Sequence, residues 1–160
     1  MKINREKLLE LWALFDKLSQ DKYSVKFHYT LLKNKRLLDP EVESLRKANE
    51  PPEEYANYEK KRIKVCNDFC EKDNDGTPKI DGNNFVIPEE VKTKFEEKLE
   101  ELKVEYKSTL DSIEESKKEF NELLKEDVEI DFVSIPMSII PEELVGQEVE
   151  ILFDLIDEEK

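Results

Sequence analysis

The residues of this sequence whose types and spacing could do chemistry are concentrated in one basic stretch. Between Lys22 and Leu38 the chain carries five basic side chains and no acidic one. Lys and Arg are the usual donors to phosphate oxygens, and a nucleotide base stacks on aromatic rings such as those between them. The pattern therefore predicts a pocket for a small anion such as a nucleotide. Its candidate ligand-binding residues, here called the basic island, are Lys22, Lys26, His28, Tyr29, Lys33, Asn34, Lys35 and Arg36.

The opposite end of the chain offers a different interpretation of this island. Residues 126–160, here called the acidic segment, contain twelve acidic side chains and one basic side chain, Lys160. The basic island could pair with this segment, or with the long helix predicted before it, through surface ion pairs of small energetic value. The sequence leaves both interpretations open: an anion pocket, or a charged surface that the chain neutralises itself.

The cysteines do not predict a metal site. Cys66 and Cys70 are four residues apart, which places them on one helical face, where a disulfide would close only a very small loop. Zinc requires about four ligands, and the single histidine, His28, is distant in the sequence. We expect both cysteines to be reduced thiols in the core.

The run Asp73–Asn74–Asp75–Gly76 resembles the start of a calcium loop but does not continue as one. With Gly76 at the sixth position of such a loop, the twelfth position is Gly82, where a bidentate glutamate belongs. The run is therefore predicted to be a tight turn. We expect no metal and no cofactor.

Catalytic patterns are missing from the sequence. Three glycines are too few for a glycine-rich phosphate loop, and His28 has no nucleophile at a recognisable spacing. Acidic residues are so frequent that no catalytic pair can be singled out. We therefore expect a protein that is not an enzyme.

The composition bears on the partners and the compartment. The formal net charge is −14, and 41% of the 160 residues are charged. Phosphate backbones and anionic membranes repel such a chain, so we expect neither direct nucleic-acid binding nor membrane binding. No signal peptide is visible, and no apolar run approaches the roughly 20 residues of a membrane span. These features predict a cytoplasmic protein.

The length of 160 residues predicts one domain over residues 1–160, and apolar periodicity predicts that it is mainly α. The expected architecture is a helical bundle with a long antiparallel coiled-coil-like hairpin, plus a small β-hairpin or antiparallel sheet. Pro40 either kinks the second helix or begins a new one, and residues 146–157 suit a helix or a strand. The predicted helices span about 5–19, 24–49, 52–72, 88–125 and 141–157, and the predicted strands about 78–80, 84–87 and 128–135. The last of these strands is expected to pair with the hairpin at 78–87.

Several short runs of the sequence form a pattern together: Lys33-Asn34, Leu37-Leu38-Asp39-Pro40-Glu41-Val42-Glu43, Glu71-Lys72-Asp73-Asn74-Asp75-Gly76, Phe120-Asn121-Glu122-Leu123-Leu124, Val128-Glu129-Ile130 and a short acidic tail. In these runs the chain resembles a group of small acidic helical accessory proteins encoded by bacteriophages of low-GC Gram-positive bacteria. The resemblance implies an accessory protein made in the cytoplasm of an infected host cell. Small proteins of this kind act stoichiometrically on host machinery or host defence.

Three functional hypotheses follow, and none of them is enzymatic. The leading hypothesis is a phage accessory protein that inhibits a host defence system, with its acidic surface bound to a host protein. The first alternative is a sponge that sequesters a nucleotide immune signal at residues 22–36. The second alternative is a structural or assembly protein that forms a homo-oligomer through the helix at 88–125.

Overall fold

The computed structural model describes residues 1–157, which form two compact units. Unit 1 combines Met1–Asn49 with the described part of Lys118–Lys160, and unit 2 is Glu50–Lys117. Compact units of this size occur within single domains as well as between domains. The expectation of one domain over residues 1–160 therefore stays a prediction.

The fold is mainly α, with helices packed in pairs and small two-stranded sheets, as the sequence predicts. The described helices are α1 (Arg5–Leu18), α2 (Val25–Ala48), α3 (Glu53–Phe69), α4 (Glu89–Glu105), α5 (Lys107–Lys125) and α6 (Gly146–Leu152). The described strands are β1 (Lys2–Asn4), β2 (Ile80–Asp81), β3 (Asn84–Phe85), β4 (Asp127–Glu129), β5 (Ile135–Pro136) and β6 (Ile156–Asp157). Short 3₁₀ turns cover Met137–Ile139 and Phe153–Leu155.

Unit 1 is built on the helix pair α1 and α2, whose starts are set by local capping. The Asn4 side chain accepts a hydrogen bond from the Lys7 amide at 2.8 Å, and Ser24 accepts one from the Phe27 amide at 3.2 Å. Such caps satisfy amide groups that have no partner within the helix. The helix starts predicted near Arg5 and Ser24 are confirmed.

Pro40 does not interrupt α2. The helix is continuous from Val25 to Ala48, although proline inside a helix removes one backbone hydrogen bond. Pro40 is exposed, and the residues on either side of it, Leu38 and Val42, are buried in the core. Tertiary packing therefore holds α2 together across the proline.

One apolar core fills unit 1, and residues far apart in sequence share it. The buried side chains of α1 and α2 are joined there by Ile3 of β1, Ile135 of β5 and two residues at the C-terminal end, Leu152 and Leu155. The side chains from the two helices are Leu8, Leu11, Leu14, Phe15, Leu18, Phe27, Leu31, Leu38 and Val42. Trp12 packs against this core while remaining partly exposed.

The predicted strand at 128–135 is wrong in its extent and in its partner. β4 ends at Glu129 and pairs antiparallel with β1, with Ile3 opposite Val128. β5 begins at Ile135 and pairs in parallel with β6. The N-terminal strand, rather than the hairpin at 78–87, takes the edge of β4, because β1 brings the buried Ile3 into the same core.

Unit 2 contains an antiparallel helix pair, α3 and α4, which is the predicted coiled-coil-like hairpin. The rings of Tyr58 and Tyr106 lie 5.6 Å apart, and those of Phe69 and Phe95 lie 6.0 Å apart. The residue number rises along α3 while it falls along α4, as antiparallel packing requires. The β2–β3 hairpin lies between the two helices in the sequence, and Gly82 adopts φ +59 in its turn.

Two predicted helices are shorter than expected. The helix at 88–125 is divided at Tyr106, whose backbone angles of φ −103 and ψ 19 are not helical. Tyr106 is also the residue whose ring packs against Tyr58. The helix predicted to end at 72 ends at Phe69, because Cys70 turns extended and Glu71 then bonds to Lys79 and Val86.

The predicted C-terminal helix at 141–157 is wrong over most of its length. α6 covers only Gly146–Leu152, and a 3₁₀ turn and β6 follow it. Both structures that the sequence allowed for residues 146–157 are thus present, one after the other. None of the helices in residues 1–157 combines the length and apolar character needed to cross a membrane.

Candidate functional site

The basic island occupies the start of α2, and helical geometry divides it between two faces. Phe27, Leu31 and Leu38 turn toward the core and leave the opposite face of the helix outside. That outer face carries Lys26, Tyr29, Lys33 and Arg36, all exposed, and exposed Lys22 precedes the helix. Lys33 Nζ lies 4.8 Å above the Tyr29 ring, a cation–π contact.

Asn34 belongs to the inner face and is fully buried. Its Nδ2 donates to the Val133 carbonyl at 2.8 Å, and its Oδ1 accepts from the Val133 amide at 2.8 Å. Because both ends of the amide are used by the backbone, Asn34 has a structural role in this arrangement. It fixes the chain between β4 and β5 against α2.

Lys35 also turns inward, toward α1. Its ammonium group pairs with Asp16 and lies 4.9 Å from the centre of the Trp12 ring. Arg46 lies over the same ring at 4.9 Å, and Trp12 Nε1 donates to Asp39 at 2.8 Å. These contacts join α1 to α2, so the structure separates Lys35 from the exposed cations.

His28 is half-buried at the edge of the island. Its ring meets the Tyr23 ring edge-on, with centroids 6.0 Å apart. Its Nε2 atom is buried and has no hydrogen-bond partner within the part of the chain that the structure describes. The sequence grouped His28 with the cations of the outer face, whereas the structure places it against an aromatic neighbour.

The interpretation that the acidic segment neutralises the island is wrong for residues 1–157. Four acids of the segment pair instead with bases of β1 and α1. The distances are 3.1 Å for Lys2–Asp127, 2.9 Å for Arg5–Glu126, 2.5 Å for Lys7–Asp154 and 2.8 Å for Lys17–Glu148. Within the same described range, no carboxylate lies within ion-pairing distance of Lys22, Lys26, Lys33 or Arg36, so their charge remains on the surface.

Two of these cations line a cleft at the start of α2. The cleft measures about 430 Å³, and Lys22, Tyr23, Ser24 and Lys26 form one wall. Residues 138–141 and Glu143 form the other wall. The volume lies within the range of small-molecule sites. Lys33 and Arg36 lie beyond it, so the structure does not gather the predicted pocket residues around one ligand.

The acidic segment presents a second surface, which combines free carboxylates with exposed apolar side chains. Phe153 is 69% exposed, and Met137 and Val145 are each more than half exposed. The acids of the described part without an ion pair are Glu129, Asp131, Glu142, Glu143, Glu150 and Asp157. The described part of the acidic segment therefore exposes both apolar side chains and carboxylates without an ion pair.

The exposure of Phe153 follows from the 3₁₀ turn. Leu152 and Leu155 on either side of it are buried in the core, so Phe153 between them faces outward. The sequence interpretation left residues 146–157 open between a helix and a strand and did not predict the exposure of Phe153. The sequence signal for the exposure of Phe153 was its position next to Leu152, because the side chains of neighbouring helical residues point about 100° apart.

Glu148 of α6 is buried and anchors the acidic segment to α1. Its Oε1 accepts from Lys17 at 2.8 Å, and its Oε2 accepts from the Val145 amide at 3.0 Å. The hydrogen bond from Lys17, and then that from Val145, lower the pKa of Glu148 below its ordinary value. The same contact raises the pKa of Lys17.

This pair predicts a pH dependence of stability. Because folding lowers the pKa of Glu148, its contribution is present above the ordinary glutamate pKa of about 4.3 and is lost as the pH falls through the folded-state value. We expect Glu148→Gln to be less stable than the wild type at neutral pH, with the difference shrinking in acid. Urea unfolding across this pH range measures it.

Glu150→Gln is the matched control, since Glu150 is two residues away, exposed and unpaired. Its substitution should change stability little at any pH. A Glu148→Gln variant whose deficit persists unchanged in acid would show that the carboxylate charge is not the cause.

The cysteines and the Asp73–Gly76 turn agree with the sequence predictions. Cys66 and Cys70 are free and buried, and burial is the main cause that raises the pKa of Cys66. In the turn, the Thr77 amide donates to Asp75 at 3.0 Å and Gly76 adopts φ +84. Among residues 1–157 no cluster of His, Cys, Asp and Glu is arranged to hold a metal ion.

Comparisons with known proteins found no relative of this chain. No family model, no curated protein and no solved structure matches the chain.

Proposed function

We propose that this protein acts by stoichiometric binding, with the acidic segment occupying a basic surface of a partner protein. The observation that carries the proposal is Phe153, a large aromatic side chain of the acidic segment that is 69% exposed. Binding energy at protein interfaces concentrates in a few aromatic anchors surrounded by polar residues. Phe153 has the chemistry of such an anchor, and Val145 and Met137 are further exposed apolar side chains of the same segment.

The charges of the acidic segment determine the kind of partner. The net charge of −14 and the free acids of this segment attract a positively charged surface and accelerate encounter with it. Exposed charges are screened within about 8 Å at physiological ionic strength. Binding should therefore weaken as salt is added, and the apolar contact of Phe153 should account for the part that remains.

The setting of this activity comes from the sequence resemblance to small phage proteins. We propose a non-enzymatic phage accessory protein that works in the cytoplasm of an infected host cell. Its partner would be a host defence protein that uses a basic surface, such as one made for nucleic acid. Occupation of that surface would inhibit the partner without any chemical step.

The test compares three tagged chains expressed in infected host cells: the wild type, Phe153→Ala and Val104→Ala. Val104 is the matched control because it is 67% exposed but lies in unit 2. We expect a stoichiometric partner to be retained by the wild type and by Val104→Ala, and lost from Phe153→Ala. Equal retention by all three chains would contradict the assignment of the binding surface.

A second candidate function is sequestration of a nucleotide immune signal in the cleft at the start of α2. The specific support is the pair of unpaired lysines, Lys22 and Lys26, beside the Tyr23 ring in a cleft of about 430 Å³. A bound nucleotide would stabilise the fold by RT ln(1 + [L]/Kd). A thermal shift with cyclic or ADP-ribose-type nucleotides that disappears in Lys22→Ala/Lys26→Ala is expected, and the absence of any shift would exclude this function.

The assembly alternative gains less support. The first half of the helix at 88–125 is α4, whose apolar face is already packed on α3. Oligomerisation through this helix stays a prediction, which sedimentation of the purified chain tests.

A further inference from the structure

We propose that the outer face of α2 is a docking surface for an acidic amphipathic helix of a partner protein. This surface is formed by α2, whereas Phe153 belongs to the acidic segment. It combines a regular seam of exposed apolar residues with cations that have no ion-pair partner within residues 1–157.

The spacing of the outer-face residues is that of a helix that packs along another helix. Val25 and Leu32 are seven residues apart, and so are Lys26 and Lys33, and Tyr29 and Arg36. A seven-residue repeat keeps a seam facing a second helix over successive turns. From residue 25 to residue 36 the seam runs about 17 Å at 1.5 Å per residue.

The apolar residues of the seam are unusually exposed. Val25 is 85% exposed, Tyr29 60% and Leu32 44%. One exposed apolar side chain is ordinary, but a contiguous line of them marks an interaction surface. The core of unit 1 does not need these residues, because the opposite face of α2 supplies its buried side chains.

The cations determine the chemistry of the partner. Lys26 and Lys33 flank the seam, Arg36 ends it and Lys22 precedes it, and none has an ion pair within residues 1–157. Elsewhere in unit 1 the basic residues of β1 and α1 are paired with acids. A helix that packs along this seam would place its flanking positions beside the lysines, so those positions should carry glutamate or aspartate.

A helix fits this face better than a small anion does. The face is the convex outside of a helix, and the cleft near its start contains Lys22 and Lys26 but neither Lys33 nor Arg36. Small ligands bind in concave sites that enclose them. An extended partner contacts all three turns of the face at once.

The probe is a synthetic helical peptide with a leucine seam flanked by glutamates, labelled for fluorescence anisotropy and titrated with the full chain. The comparison peptides have lysines in place of the flanking glutamates, or the same acidic composition with prolines that prevent a helix. The chains are the wild type, Lys33→Glu/Arg36→Glu, and the control Lys60→Glu/Lys64→Glu. The control lysines are exposed residues of α3 in unit 2. Both double variants replace two basic residues with two glutamates, so they change the net charge by the same amount.

We expect the glutamate-flanked helix to bind the wild type and the control alike, and to bind Lys33→Glu/Arg36→Glu at least about tenfold more weakly. The lysine-flanked helix should prefer Lys33→Glu/Arg36→Glu. Tyr29→Ala should also weaken binding without any charge change. Phe153→Ala should leave it unchanged, which separates this surface from the proposed inhibitory one.

Four results would overturn the proposal. In the first, the glutamate-flanked helix fails to bind the wild type, and in the second it binds all chains equally. In the third, the proline-containing peptide binds as well as the helical peptide, so that charge alone explains the binding. In the fourth, the wild-type chain self-associates in sedimentation and the Lys33→Glu/Arg36→Glu variant does not. A second copy of the chain would then be what binds the outer face of α2.

Discussion

Replacement of Asn34 by leucine is expected to lower the free energy of unfolding by about 2–4 kcal/mol. Leucine has a similar size, so the substitution removes the two hydrogen bonds to Val133 without opening a large cavity. The Val133 amide and carbonyl would then lose their partners beside a fully buried side chain. Urea unfolding followed by circular dichroism measures the loss.

An aspartate at the same position gives a second test with a defined sign. Aspartate keeps an acceptor for the Val133 amide but, when ionised, turns a negative oxygen toward the Val133 carbonyl. Burial would raise the pKa of this carboxyl, so the fold would favour its protonated form. The stability of Asn34→Asp should therefore rise as the pH falls, since the protonated acid can donate to the carbonyl.

Asn121→Asp serves as the control, because Asn121 is exposed on α5. It should show no such pH dependence. An Asn34→Leu variant as stable as the wild type would show that the link between α2 and Val133 does not contribute to folding.

Replacement of Phe27 by alanine is the second large effect, with an expected loss of about 3–5 kcal/mol. Phe27 is fully buried in the first turn of α2, and its ring meets Tyr23 edge-on at 5.5 Å. Small domains are stable by roughly 5–15 kcal/mol, so this loss would remove a large part of the total. Thermal and urea unfolding both measure it.

The control for Phe27 lies two residues away on the same helix. Tyr29→Ala removes an aromatic ring from the exposed face and should change stability by no more than about 0.5 kcal/mol. Phe27→Leu should lose less than Phe27→Ala because it leaves a smaller cavity. Similar losses for Phe27→Ala and Tyr29→Ala would contradict the orientation of α2, and with it the outer face proposed for docking.

The sequence alone determined where the two helices that carry unit 1 begin. α1 and α2 begin where Asn4 and Ser24 offer a capping oxygen, and their buried residues recur at helical spacing. The sequence also predicted the antiparallel helical hairpin that α3 and α4 form, and the β-hairpin between them. These features depend on residues close together in the chain, so local patterns contain the information.

The tertiary structure decided which residues of the basic island are available. Asn34 is hydrogen-bonded to Val133, which lies 99 positions further along the chain. Lys35 forms an ion pair with Asp16 and a cation–π contact with Trp12, both on another helix. Helical periodicity identified the face of each residue, but only the packing of α1 and the chain before β5 determined which face is covered.

The tertiary structure also decided the course of the acidic segment. Its strands pair with partners remote in sequence, β4 with β1, and its acids pair with bases of β1 and α1. Alternating apolar residues at 128–133 and 149–155 suit several structures when read locally. Burial of Leu152 and Leu155 in the shared core selected a short helix and a 3₁₀ turn, and that selection left Phe153 exposed.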